Sequence, residues 1–265
     1  MSYTQSQIDQ LKNDINSDIS KRFSALVPTP PPTPPPTDNA LLNSTFDESY
    51  PFPVGTKSKD GNYFCKYVGS GKVAFENGVL RMVPKAATNY SNDSSGVGYE
   101  TYACQVQTVN WFKNVQLDLD IKLNKQLRTG YSKYGANQQG PQPWETWWIF
   151  FRFTDEPPKS NHHYYFYIAS NKWQFGKKDN KPNDNTVEQQ IYIKSGTSPL
   201  LKAGVKQHVT ITMKDFHFGI WVDGVKLVDM TDPTVNDPSK MSQGLIAIYC
   251  EDADIESDNI KVVGI

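Results

Sequence analysis

The chain has 265 residues with 27 basic and 28 acidic side chains and no long basic run, which argues against nucleic acid or an anionic membrane as a partner. No stretch approaches the roughly 18 continuous apolar residues of a membrane span, and Met1 to Gln7 lacks the basic start and apolar stretch of a secretory signal; the expectation is a chain without membrane insertion, intracellular as synthesised or on the surface of a virion or other particle. Cys65, Cys104 and Cys250 are odd in number and too far apart for a paired-cysteine metal motif, so they read as buried reduced thiols.

Ile8, Leu11, Ile15, Ile19 and Phe23 recur at three- and four-residue spacing among polar neighbours, the stripe of one amphipathic helix over residues 1–27. Helix nucleation is costly and nothing in the same segment covers the stripe, so it needs a partner: self-association or docking onto a larger particle. Seven of the eighteen prolines then fall between Pro28 and Pro36. With few backbone donors and fixed φ, residues 28–39 form an extended spacer of roughly 30 Å. Such a spacer holds residues 40–265 away from the helix before it.

From residue 40 onward the period changes to two. Leu117, Leu119, Ile121 and Leu123 alternate with Asp118, Asp120 and Lys122, as in a half-buried strand. Val209, Ile211 and Met213 repeat the pattern, and Phe218, Ile220 and Val222 lead into Asp223-Gly224, a two-residue hairpin signal, before Val225 to Val228 returns. Further strands are expected near 73–83, 98–107, 146–154, 163–170, 188–194, 243–250 and 256–263. Many short strands with no helical period between them predict an all-β fold, an antiparallel β-sandwich of jelly-roll type.

The segments Thr146 to Asp155, His163 to Ile168 and Trp173 to Lys177 resemble the central strands of the concanavalin A-like lectin/glucanase sandwiches, in particular the laminin-G-like and 3-keto-disaccharide hydrolase-like branch. His208 to Thr212, Ile220 to Val225, Gly244 to Tyr249 and Asp258 to Val262 match the closing strand order of those domains. The resemblance covers about residues 40–265 and implies a sandwich whose concave face holds sugar; the family mixes lectins, glycosidases, lyases and binding modules.

Both faces of residues 147–153 are aromatic: alternation puts Trp147, Ile149, Phe151 and Phe153 on one and Trp148, Phe150 and Arg152 on the other. A second greasy face needs cover or a ligand. Trp144, Trp148, Tyr165, Tyr167 and Trp173 offer flat surfaces for a pyranose, and Glu145, Arg152 and His163 offer partners for its hydroxyls. The alternative is a second core layer under a loop over residues 125–143. Hydrolysis requires two carboxyl groups across a cleft, and the Glu-x-Asp-x-x-Glu pattern of the fold's glucanases is missing. Asp118 and Asp120 read as solvated strand residues.

Asp252, Asp254, Glu256 and Asp258 crowd one strand face, a density of like charge that a cation or neighbouring bases must relieve. Structural calcium between the first and last strands, as members of the fold often hold, implies a site at Asp47 and Asp258. The expected function is non-catalytic, lectin-like binding of a glycan, displayed on the stalk of a larger assembly; a glycan-processing enzyme and a structural coat protein are the alternatives.

Overall fold

The computed structural model describes residues 40–88, 101–130, 139–154, 162–181, 184–235 and 238–265. The expected helix over 1–27 and spacer over 28–39 lie outside them, as do residues 98–100 of one expected strand and 131–138 of the expected covering loop. Among the described residues, no helix is long and apolar enough to cross a membrane.

The described residues form sixteen strands and one four-residue helix. The first strands are β1 (Ala40–Ser44), β2 (Tyr50–Pro51), β3 (Tyr63–Val68), β4 (Lys72–Glu76), β5 (Val79–Val83) and β6 (Ala103–Thr108). β7 (Val115–Gln126), β8 (Trp147–Phe153), β9 (His163–Ile168), β10 (Trp173–Lys181) and β11 (Asp184–Gly196) come next. β12 (Lys206–Lys214), β13 (His217–Val222), β14 (Val225–Thr231), the helix α1 (Pro238–Met241), β15 (Leu245–Glu251) and β16 (Ala253–Gly264) complete the order. One sheet of nine strands runs β14-β13-β12-β7-β16-β5-β4-β2, with β1 also against β16, and a second of seven runs β11-β10-β9-β8-β15-β6-β3. The expected all-β antiparallel sandwich is thus observed.

Alternation builds the core. Leu117, Leu119, Ile121 and Leu123 of β7 are all buried, as are Val209, Ile211 and Met213 of β12, at about 1.5–3 kcal/mol for each large apolar side chain. They meet Trp147, Ile149, Phe151, Phe166 and Phe175 from the seven-stranded sheet in one cluster. Trp147 Nε1 crosses the core to donate to Ser257 Oγ at 3.1 Å, so the large ring is buried with its polar atom satisfied.

Two hairpins differ in legibility. Asp223-Gly224 has both residues at positive φ, 49° and 78°, and joins β13 to β14 as its sequence predicts. Asn77-Gly78 takes the same conformation, 55° and 76°, and splits the single strand expected over 73–83 into β4 and β5. The strands β1, β2 and β3 were not expected either, while β10 was expected only through the resemblance of its first residues, Trp173 to Lys177, to a central strand; the polar residues from Lys177 to Lys181 give it no clean period.

The strict alternation expected along 147–153 fails at its end. Phe151 faces Ile246 while Phe153 faces Leu245, so Arg152 is an extra residue on β8, with φ at 53°. A bulge of this kind reverses the parity of the residues beyond it. Phe153 joins Phe150 on the outer face, where it packs with Leu245 and Ala247. Arg152 leaves that face and turns to the end of the sandwich: its guanidinium donates to the carbonyls of Met241 at 3.2 Å and Lys113 at 3.1 Å and lies over the rings of Phe216 and Phe218. Gly244 makes room for the bulge, since a Cβ there would lie 2.5 Å from the Arg152 carbonyl carbon.

The crowded acids of β16 are relieved by bases. Asp252 pairs with Arg128 at 2.6 Å and Asp254 with Arg81 at 2.9 Å. Glu256 pairs with Lys122 at 3.2 Å and Asp258 with Lys206 at 2.9 Å. Asp47 accepts from Thr45 Oγ1 at 2.6 Å. Asp47 and Asp258, the residues named for calcium, are therefore each bonded elsewhere, and among the described residues no three histidine, cysteine, aspartate or glutamate side chains gather into a group that holds a metal. All three cysteines are buried and unpaired.

On the outer face of the nine-stranded sheet His208 stands between Asp118 and Asp120, its Nδ1 2.8 Å from Asp120. Bonding and charge from Asp118 and Asp120 outweigh burial and push His208 up to about 9. A histidine raised in the folded state contributes stability that is full below its unfolded value and is lost as pH rises through the folded one. Wild type should therefore lose melting temperature between about pH 7 and 9.5 that His208→Gln does not lose. Gly244→Ala should lower stability by about 1–3 kcal/mol in denaturant titration through the overpacked bulge.

Candidate functional site

The seven-stranded sheet carries a second set of large side chains on the face turned away from the core. Register sets them in rows. Gln105, Tyr249, Trp148, Tyr167 and Gln174 are successive cross-strand partners on β6, β15, β8, β9 and β10. One step along the strands, Gln107, Ala247, Phe150, Tyr165, Gly176 and Tyr192 form the next row, and His163, Lys178 and Gln190 form a third on β9, β10 and β11. Neighbouring rows are roughly 7 Å apart and strands roughly 4.8 Å apart, so the rings touch. Trp148 lies 4.0 Å from Tyr167 and 5.6 Å from Tyr165 between centroids, and Phe150 lies 4.5 Å from His163 and 5.1 Å from Tyr249.

These rings form two layers. Tyr165 and Tyr167 are 1% and 2% exposed and make the floor. Gly176 lets the Tyr165 ring lie flat on β10, because a Cβ there would collide with its hydroxyl. Tyr167 is pinned by its hydroxyl donating to Gln174 at 2.7 Å. Above the floor, Trp148 and Phe150 are half-buried, and Trp148 is fixed by Nε1 donating to the Trp144 carbonyl at 2.9 Å. Tyr192 on β11 stands 63% exposed at the edge. The outer face thus combines a buried aromatic floor with half-buried and exposed rings above it.

Two adjoining depressions open over this floor. The larger, about 530 Å³, runs from Trp144 and Trp148 across Tyr167 and Gln174 to Tyr192. The smaller, about 210 Å³, lies over Phe150, Tyr165, His163 and Tyr249. Trp148, Gln190 and Glu251 border both. Lys172 stands on the rim of the larger and Lys178 on that of the smaller. A separate hollow of about 390 Å³ sits beside β1, around Asp47, Glu48 and Asp60. There Glu48 pairs with Lys59 at 2.9 Å and Asp60 accepts from the Asn62 amide at 2.8 Å, so these acids already have partners.

Among the described residues, Glu251 is the only carboxylate bordering the paired depressions. It shares a face with Tyr249, whose hydroxyl donates to its Oε1. Burial, reinforced by the charge of Asp252, holds the Glu251 carboxyl above the ordinary range against the opposing Tyr249 bond and the Arg128 charge. Burial likewise raises the hydroxyls of Tyr165, Tyr167 and Tyr249, so these remain neutral donors at physiological pH.

Of the residues expected from sequence, Trp144, Trp148, His163, Tyr165 and Tyr167 come together here. Three do not. Trp173 points into the core cluster, with Nε1 donating to the Ser198 carbonyl at 2.9 Å. Arg152 is carried away by the bulge. Glu145 is buried under the start of β8, ion-paired with Arg128, which also holds Asp252; burial outweighs Arg128 and pushes the Glu145 carboxyl up to about 7. Sequence reasoning missed Glu251, Gln174, Gln190 and Tyr192. Alternation marks Gln190 and Tyr192 within 188–194, and parity from Tyr249 marks Glu251, which the acidic run after it obscured.

Residues 58–263 match the family described as the 3-keto-alpha-glucoside-1,2-lyase-like domain. No curated protein matches the chain. Among solved structures the chain is similar to SCLam, a non-specific endo-beta-1,3(4)-glucanase of family GH16 (TM-score 0.53, 12% identity, covering 89% of this chain and 95% of that one). It is similar also to porphyranase B from Zobellia galactanivorans (0.53, 9%, 89% and 99%) and to a protein of unknown function with a galectin-like fold from Bacillus subtilis (0.55, 9%, 85% and 96%). At those identities the likeness is one of fold.

Arg128 is 3% exposed and serves two buried carboxylates. Arg128→Met should cost about 3–5 kcal/mol in denaturant titration, because it leaves buried acids uncompensated. Tyr192→Ala, on the exposed edge, should change stability by no more than about 0.5 kcal/mol.

Proposed function

The chain belongs to the 3-keto-alpha-glucoside-1,2-lyase-like domain family, and from the groove on its seven-stranded sheet we propose that it binds a saccharide there. The observation that carries this reading is the combination of fixed rings and amides in the two joined depressions. Trp148 and Tyr192 present ring faces for the C–H surface of a pyranose, while Gln174, Gln190 and Glu251 stand beside them as donors and acceptors for hydroxyls. A purely apolar ligand leaves those amides unanswered, and a strongly anionic one meets Glu251.

A second reading, turnover of the bound sugar, is favoured by Glu251. A single carboxylate in the groove does not supply the pair that glycoside hydrolysis uses. Elimination from a 3-keto-α-glucoside, the reaction in the family's description, needs one proton moved between two nearby atoms and so is compatible with one acid–base group. Binding without turnover is the lectin-like outcome, and binding with loss of the aglycone is the lyase outcome.

The test is titration calorimetry of the full chain against p-nitrophenyl α-glucoside and a panel of glucose- and galactose-based oligosaccharides. Trp148→Ala and Tyr192→Ala should each weaken the best ligand about tenfold, the loss of one stacking contact of roughly 1–2 kcal/mol. Trp111→Ala, an exposed tryptophan that borders neither depression, should bind as wild type. Failure of the wild-type chain to bind any member of the panel overturns the saccharide reading.

A further inference from the structure

We infer that Glu251 is the catalytic acid–base residue of the groove, moving a proton between the sugar carbon beside a ketone and the bridging oxygen of a 3-keto-α-glucoside. The inference rests on the saccharide reading above.

Position is the first argument. Glu251 borders both depressions, so a ligand occupying the two presents the bond joining its halves to this side chain. Its orientation is the second. Tyr249 Oη holds Oε1, and Tyr249 is itself packed 5.1 Å from Phe150 and 6.4 Å from Trp148. The carboxyl is thereby aimed by a side chain that is held in place, with Oε2 left for the ligand. Burial holds its carboxyl above the ordinary range, which makes the carboxylate a stronger base toward the C–H and leaves the acid it becomes able to return the proton. The other titratable groups of the groove are less suited. His163 is 8% exposed, beneath Phe150, and Lys172 and Lys178 stand on the rims.

The step balances with one group. The Glu251 carboxylate takes the proton from the carbon next to the ketone, and the C–H electron pair becomes a carbon–carbon double bond. The bond from the neighbouring carbon to the bridging oxygen breaks with its pair on that oxygen. Glu251 then returns the same proton to the oxygen. One glycoside yields one enone and one alcohol, and no water, oxidant or reductant is consumed.

The experiment uses p-nitrophenyl 3-keto-α-glucoside as the reacting probe and the unoxidised p-nitrophenyl α-glucoside as the binding probe, with the full chain. Wild type should release nitrophenol. Glu251→Gln, which keeps shape and the ability to bond Tyr249, should retain the affinity for the unoxidised probe within about threefold while kcat falls by about 10²- to 10⁴-fold, the usual contribution of a general acid–base group. Glu251→Ala should recover part of its rate when formate is added, which a merely structural residue does not do. Release by Glu251→Gln within about threefold of wild type overturns the assignment, as does a loss that tracks His163→Gln instead. A wild-type chain that binds the unoxidised probe and releases nothing from the keto probe overturns Glu251 as catalyst and leaves the saccharide reading standing. A chain that binds neither probe nor any oligosaccharide overturns both.

Discussion

The register of β8 between β9 and β15 is the constraint on which the rest of the molecule depends. Seven consecutive bulky residues occupy that strand, and pairing of Ile149 with Ile248 and Phe166 decides which of them face the nine-stranded sheet. A slip of one residue would send Trp148 and Phe150 into the core and expel Trp147, Ile149 and Phe151. The register is held from both sides of the sheet at once. Within the core, Trp147 reaches Ser257 across the two sheets; on the outer face, Trp148 lies against Tyr167 and bonds back to Trp144. Because both faces of the strand are specified, neither can adjust without the other, and the groove inherits the rigidity of the core beneath it.

Charge closes the parts of the sandwich that apolar packing leaves open. Arg128, Glu145 and Asp252 tie the end of β7 to the approach of β8 and to the β15–β16 turn. Elsewhere Lys177 lies 2.8 Å from Asp232 and 3.4 Å from Asp179, and the Tyr164 hydroxyl donates to Asp232 at 2.8 Å. Buried ions of this kind add little net stability compared with apolar replacements, yet they are costly to break singly. They act as fixed points that keep the ends of strands where the groove needs them. Glu145 and Arg152, polar residues that look available for a ligand in the sequence, are engaged in such structural roles, and the groove is left with amides, tyrosine hydroxyls, one carboxylate, His163 beneath Phe150 and two lysines on its rims.

Among the described residues that inventory holds one carboxylate, where glycoside hydrolysis uses two. A floor of Tyr165 and Tyr167 beneath Trp148 and Tyr192 resists collapse, so little conformational entropy is lost when a ring stacks on it. The amides of Gln174 and Gln190 come from neighbouring strands and stand at separations set by strand spacing rather than by loops. Glu251, the one carboxylate among the described residues bordering the groove, stands at the place where the two depressions meet.

Periodicity in the sequence sufficed to establish an all-β sandwich, the inward faces of β7, β12 and β13, the Asp223-Gly224 hairpin and an aromatic patch containing Trp144, Trp148, His163, Tyr165 and Tyr167, because alternation and turn chemistry are local. The bulge at Arg152 was not legible, since it arises from how β8 meets β15 and from the space Gly244 leaves, and it removed an arginine and added Phe153 to the outer face. Nor was the depth of each ring, because parity assigns a face but not which residue of a facing pair lies on top. Tertiary structure alone decided that Tyr165 and Tyr167 support while Trp148 and Tyr192 are presented, and that the acids of β16 are matched by Arg81, Lys122 and Lys206. It also placed Glu251 from β15 and Gln190 from β11 on the border of the same two depressions, an arrangement created by strand order in the sheet, which no spacing along the chain records.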